Sequence, residues 1–247
     1  MAQAALAAMH TIPAQRAIHS LHGYFLRPGD ISESITLSAD RIHDGRSFST
    51  RRVQAYQHGE PIFSMISSFQ DEDPGLDHHS PMPEGIPDPE SLPSAQEVLG
   101  AINHPLADVW ATTRAFDLRH HPSPIYIDGD RERTPHQAVW LKALSPLPDD
   151  ENLHRAALAY ASDFSILEPV MRAHGISWST PGLKIASLDH AMWWHRFHRV
   201  DEWFLYVQES PSARGGRGLA LGRIFNQQGE LIASVAQEGM VRVPNPS

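Results

Sequence analysis

The sequence predicts an α+β fold in two similar halves, on three observations. A short helix followed by strand-like segments fills residues 2–70, and a longer helix followed by a second strand run fills 150–243. The strand-like segments alternate apolar and polar residues, as half-buried antiparallel strands do. Between the halves the composition changes to Asp, Glu, Pro, Ser and Gly, with Pro at 74, 81, 83, 87, 89 and 93. The repeat is one of architecture, since no sequence identity between the halves is evident. The resulting division is an N-terminal unit at 1–72, an acidic Pro-rich linker at 73–105 and a C-terminal unit at 106–247.

Each element has its own signal. The Ala-rich residues 2–10 form a helix that ends before Pro13. "AIHSLHGYFL" (17–26) is a strand stopped by "RPGD", and "SITLSADRI" (34–42) is one stopped by "HDG". "FSTRRVQAY" (48–56) and "PIFSMISSFQ" (61–70) flank "QHGE" and read as a hairpin. Residues 71–95 read as a linker, semi-rigid where Pro-rich and not a core element. Strand-like stretches follow near 114–121 and 136–144. One long helix is then opened by "PDDENLH", whose acidic first turn suits the helix dipole, and closed at "AHG", where Gly175 can take a left-handed conformation. "GLKIASLDHAMWWH", "EWFLYVQES" and "GRGLALGRIFN" are antiparallel strands, the last turning through "QQGE" into "LIASVAQEGMVRV".

The bulk composition excludes several classes. The chain of 247 residues is 41% hydrophobic and 20% charged, ordinary for a soluble globular protein. A net charge of −9 argues against a nucleic-acid-binding surface while leaving room for a local basic site for a phosphorylated ligand. With no cysteine, disulfides, zinc–thiolate sites and a Cys nucleophile are excluded, and a reducing cytoplasm is compatible. No apolar run approaches the roughly 20 residues of a membrane span. The Ala-rich start has no basic segment before it and does not read as a signal peptide.

Three polar residues fall where apolar ones are expected. In "YASDFSILEPV" (160–170), every neighbour of Asp163 at helical spacing is apolar or aromatic, which places a carboxylate mid-helix on a core face. Gln237 lies on the strand face of Leu231, Ala233 and Val235, and Ser187 on that of Leu183, Ile185, Asp189, Ala191 and Trp193. Two readings stand level. The three could satisfy one another as a structural network. Alternatively they surround a water, the carboxylate accepting its proton while amide and hydroxyl orient it for attack on an acyl carbon. In the second case partial burial would raise the pKa of Asp163 toward a value useful for a base.

Other sites find no support. G-x-S-x-G, G-x-x-x-x-G-K-[ST] and G-x-G-x-x-G are all absent. In "DHAMWWHRFH", His190 and His195 point to opposite faces of a strand, unlike zinc ligands. "SARGGRG" (212–218) could cradle a phosphate with Arg214 and Arg217, but it also reads as a Gly-rich turn. "DDENLH" bears a faint likeness to the Asp–His signature of hot-dog enoyl-CoA hydratases, with the spacing off and the usual Pro missing.

"HSLHGYFLRPGD" (19–30), "DGRSFSTRRV" (44–53), "YASDFSIL" (160–167), "SLDHAMWWHR" (187–196) and "VAQEG" (235–239) together resemble the bacterial acyl-CoA thioesterase II family, in family order across nearly the whole chain. The resemblance implies a double hot-dog, each half an antiparallel sheet wrapped around a long helix. It implies hydrolysis of acyl-CoA to free acid and CoA with no covalent intermediate, no metal and no cofactor, CoA being part of the substrate. The family's catalytic Asp, hydroxyl residue and Gln match Asp163, Ser187 and Gln237. A cytoplasmic homo-oligomer is implied too. Family members carry a further segment, including a first strand, ahead of the point where this chain starts, so the first half is expected to be truncated and to lack an edge strand. A hot-dog hydratase and a non-catalytic acyl-CoA-binding protein are the alternatives.

Overall fold

The computed structural model describes residues 1–102, 107 and 114–244. Eleven antiparallel strands form one sheet: β1 (Arg16–Phe25), β2 (Thr36–Asp44), β3 (Phe48–Gln57), β4 (Glu60–Asp71), β5 (Phe116–His121), β6 (His136–Ala143), β7 (Lys184–Ser187), β8 (Asp189–Trp194), β9 (Phe204–Arg214), β10 (Arg217–Asn226) and β11 (Leu231–Arg242). The order is β2-β3-β4-β1-β8-β11-β10-β9-β6-β5, with β7 beside β11. Reading outward from the centre, β1-β4-β3-β2 and β8-β11-β10-β9 repeat one order in opposite directions. The halves meet at β1 and β8, where Leu21 pairs with Met192 and Gly23 with His190.

Few helices accompany the sheet: α1 (Ala2–Met9), α2 (Ala95–Gly100), α3 (Glu151–Ala161) and α4 (Glu168–Ala173). Helix α1 buries Ala4, Ala5 and Ala8, small side chains that let it lie close against both the first half's strands and α3. One continuous apolar core results, running from Ala4 and Phe63 in the first half to Tyr206 and Val235 in the second. Among the described residues no helix is long and apolar enough to cross a membrane.

The strands and the 57–60 hairpin fall where the alternation placed them, the hairpin turning through His58 and Gly59, both at positive φ. Two readings are corrected. The single helix expected from 150 to 174 is two, α3 and α4, separated by residues 162–167. Pro169 is the reason: it has no N–H to give the carbonyl of Ser165 and its ring would collide with that carbonyl, but it fits the first turn of a new helix. Residues 71–95 are also more than a tether. Met82, Ile86 and Leu92 pack on a second apolar cluster around Trp140, Trp203 and Phe225, on the other face of the sheet. The indole N–H groups of Trp140 and Trp203 donate to the Pro87 carbonyl and Glu90 carboxylate, each at 2.9 Å.

Candidate active site

The break between α3 and α4 builds the site. Ser162 ends α3, and the Tyr206 hydroxyl donates to its carbonyl at 3.0 Å, satisfying a group the broken helix leaves open. Asp163 follows on the turn, one residue past the last helical hydrogen bonds. The mid-helix, core-facing position expected of it is therefore wrong. Its side chain is exposed on a cleft of about 220 Å³, whose walls include Phe164, Leu167, Trp178, Ile185 and Ser187. Burial does not desolvate this carboxylate.

Strand β11 delivers Gln237, fully buried on the face of Ala233 and Val235. Its approach to the helix break is set by Gly239, where a Cβ would come within 2.3 Å of the Leu167 side chain. Ser187 arrives from the end of β7, half-buried and opposite Gly239. The three side chains meet. Gln237 Nε2 donates to Asp163 Oδ1 at 3.0 Å and to Ser187 Oγ at 2.8 Å, and Ser187 Oγ donates to the same Oδ1 at 3.2 Å. Among the described residues no donor reaches Asp163 Oδ2.

A single even face from Leu183 to Trp193 is not what the chain makes. Leu188 bulges between β7 and β8: its N–H donates to the Glu238 carbonyl at 2.9 Å, and the Glu238 N–H finds the Asp189 carboxylate at 2.7 Å in place of a main-chain acceptor. One extra residue flips the side-chain parity. Ser187 thus shares the inner face with His190, Met192 and Trp194, while Asp189, Ala191 and Trp193 turn away. His190 becomes a member of the site that parity alone could not find. It is wholly buried, its Nδ1 bonds Gln237 Oε1, and its Nε2 bonds Ser162 Oγ at 3.0 Å. Burial is the main cause that lowers its pKa.

A second buried polar set supports the cleft wall. The Trp178 indole donates to Glu168 Oε1 at 2.9 Å, and Gln137 Nε2 donates to Glu168 Oε2 at 2.9 Å, with His120 3.4 Å away. Burial alone would push the Glu168 carboxyl up, but the nearby His120 and the hydrogen bonds from Trp178 and Gln137 outweigh it and hold the pKa down. The Asp–His pair a hydratase would need is occupied otherwise: Asp150 caps α3 through the Asn152 and Leu153 N–H groups, and His154 Nδ1 accepts from Val200.

Residues 112–240 match the acyl-CoA thioesterase family, and residues 1–70 match the acyl-CoA thioesterase N-terminal domain. The chain is 36% identical to acyl-CoA thioesterase 2 of Haemophilus influenzae, covering 98% of this chain and 85% of that protein. It is 34% identical to acyl-coenzyme A thioesterase 8 of Homo sapiens, over 98% of this chain and 78% of that protein. Among solved structures, an acyl-CoA thioesterase II from Mycobacterium marinum superposes with a TM-score of 0.82 at 42% identity, over 100% of this chain and 88% of the other. A hot-dog-fold protein from Alicyclobacillus acidocaldarius shares the fold at TM-score 0.77 and 17% identity, over 99% and 86% of the two chains.

Proposed function

The chain belongs to the acyl-CoA thioesterase family and is a thioester hydrolase, and we propose that it cleaves acyl-CoA to free acid and CoA through a water activated by Asp163. The observation that carries this reading is the unequal use of one carboxylate. Two donors, Gln237 Nε2 and Ser187 Oγ, hold Oδ1 at 3.0 and 3.2 Å, which leaves Oδ2 open on the cleft. A water on Oδ2 gives it a proton while its oxygen attacks the thioester carbonyl carbon. The tetrahedral adduct expels the thiolate as the C–S bond breaks, and the thiolate recovers the proton from Asp163. Ser187 and Gln237 fix the carboxylate and, through it, the water.

We read each half as a hot-dog unit, at 1–72 and 106–247 with 73–105 between them. The shared strand order of the halves and the hot-dog neighbours support this. A cytoplasmic location and assembly into a homo-oligomer belong to the same reading. The test is release of CoA thiol from a series of acyl-CoAs by wild type and Asp163→Asn, with far-UV circular dichroism on both. The variant is expected to keep its fold and to lose about 10²–10⁴-fold in kcat. A variant as fast as wild type would remove Asp163 as the base, and a wild type that frees no thiol would remove the hydrolysis.

A further inference from the structure

A groove of about 670 Å³ lies along the β9–β10 hairpin and the end of β11, and its electrostatics do not follow those of the chain. The molecule is acidic, at −9, yet Arg133, Arg214, Arg217 and Arg242 all line this groove. The hairpin sets Arg214 directly opposite Arg217. Like charges in directly paired positions destabilise a sheet, so folding does not account for the pairing. Gly215 and Gly216, both at positive φ, make the turn as tight as two residues allow. Arg242 lies against it, since a Cβ on Gly216 would sit 3.0 Å from its Nε. Arg133 closes the far side, its Nε 3.4 Å from where a Cβ on Gly175 would be. Glu238 pairs with Arg217 at 3.1 Å. Among the described residues Arg133, Arg214 and Arg242 have no ion-pair partner. These are planar forks suited to phosphate oxygens, brought together at an electrostatic cost.

The groove lies next to the cleft. Val241 on its floor pairs with Ile185 of the cleft, and Val170 stands one helical turn beyond Leu167. Along β11, Gln237 and Arg242 are five residues apart, about 17 Å at the usual strand rise, and the odd spacing turns Arg242 to the face opposite Gln237, where it lies against Gly216 at the end of the sheet. The pantetheine arm, two amide-linked units between thiol and pyrophosphate, matches about four or five extended residues. We propose that the groove around Arg214, Arg242 and Arg133 binds the phosphates at the nucleotide end of the CoA thioester. The proposal rests on the acyl-CoA reading above and adds to it the site that recognises the carrier. "SARGGRG" is then both a tight turn and a phosphate-binding element.

The experiment compares wild type with the double variant Arg214→Gln/Arg242→Gln on one acyl group carried by CoA and by pantetheine, which lacks the phosphates. Arg41→Gln/Arg46→Gln, with both residues exposed on or just after β2 at the far edge of the sheet, serves as the charge-matched control. The double variant should raise KM for acyl-CoA about tenfold or more and flatten its salt dependence, closing the preference over acyl-pantetheine, as expected from two lost phosphate contacts. The control should keep that preference. A double variant that keeps it too, or weakens on both substrates alike, overturns the proposal. Calorimetric binding of CoA separates this from the hydrolysis reading. If wild type cleaves neither substrate, CoA binding that the double variant weakens still upholds the groove, and equal binding or none overturns it.

Discussion

A carboxylate can only accept hydrogen bonds, and that rule fixes protons through three side chains here. Because Gln237 faces Asp163, its amide must turn Nε2 that way, which leaves Oε1 for His190. His190 Nδ1 must then carry a hydrogen, while Nε2 lies 3.0 Å from Ser162 Oγ, whose own hydrogen also reaches the Ala159 carbonyl at 2.8 Å. Burial opposes a charge on His190 by lowering its pKa from the ordinary 6.5. The sign follows from proton counting. As pH falls below about 6.5 the unfolded chain takes up a proton that folded His190 refuses, so this contribution is complete above that pH and is lost toward the folded-state value. The thermal midpoint should therefore drop between pH 7 and pH 5.5, by no more than about 1.4 kcal/mol of stability per pH unit from this group. His190→Met should show a smaller drop over that range. An identical pH dependence in the variant would move the effect to other groups.

Elements place these residues more than their own preferences do. Asp163 reached its exposed turn because Pro169 forbids a continuous helix, a signal present in the sequence six residues away. The bulge at Leu188 was not legible in the same way, since a strand with one extra residue keeps the composition of a strand and differs only in what it pairs with. Its stabilisation depends on the Asp189 carboxylate taking the Glu238 N–H at 2.7 Å. Asp189→Ala removes that acceptor from a half-buried donor and should cost about 1–3 kcal/mol. Because the bulge sets which way Ser187 faces, kcat on acyl-CoA should fall with it. Urea unfolding and steady-state kinetics on the variant check both, and a loss of stability with kcat unchanged would mean the bulge does not position Ser187.

At the scale of the whole molecule, the β1–β8 seam and the shared core make the halves one sheet. All six tryptophans, at 110, 140, 178, 193, 194 and 203, lie in the second half. Tryptophan fluorescence therefore reports chiefly that half, Trp193 touching the first half at His22 on the seam, while far-UV circular dichroism reports both. The two probes should give coincident urea transitions, and an earlier dichroism transition would show that the first half unfolds by itself. On the outer edges the halves differ: β9 is followed by β6 and β5, whereas β2 has no strand neighbour beyond it among the described residues and presents Asp40, Arg41 and Asp44 at its edge. By itself the sequence determined the α+β class, the strand segments and Gln237 as a polar residue on an apolar strand face, because burial writes an alternating period and a polar residue out of period stands out, whereas Asp163 and Ser187 were marked on a helix face and a strand face that the chain does not make. It did not determine that His190 orients Gln237, that Glu168 holds Trp178, or that four arginines line one groove. Those contacts join residues 10 to more than 80 positions apart. Strand register and helix breaks decide them, and neither has a period to read.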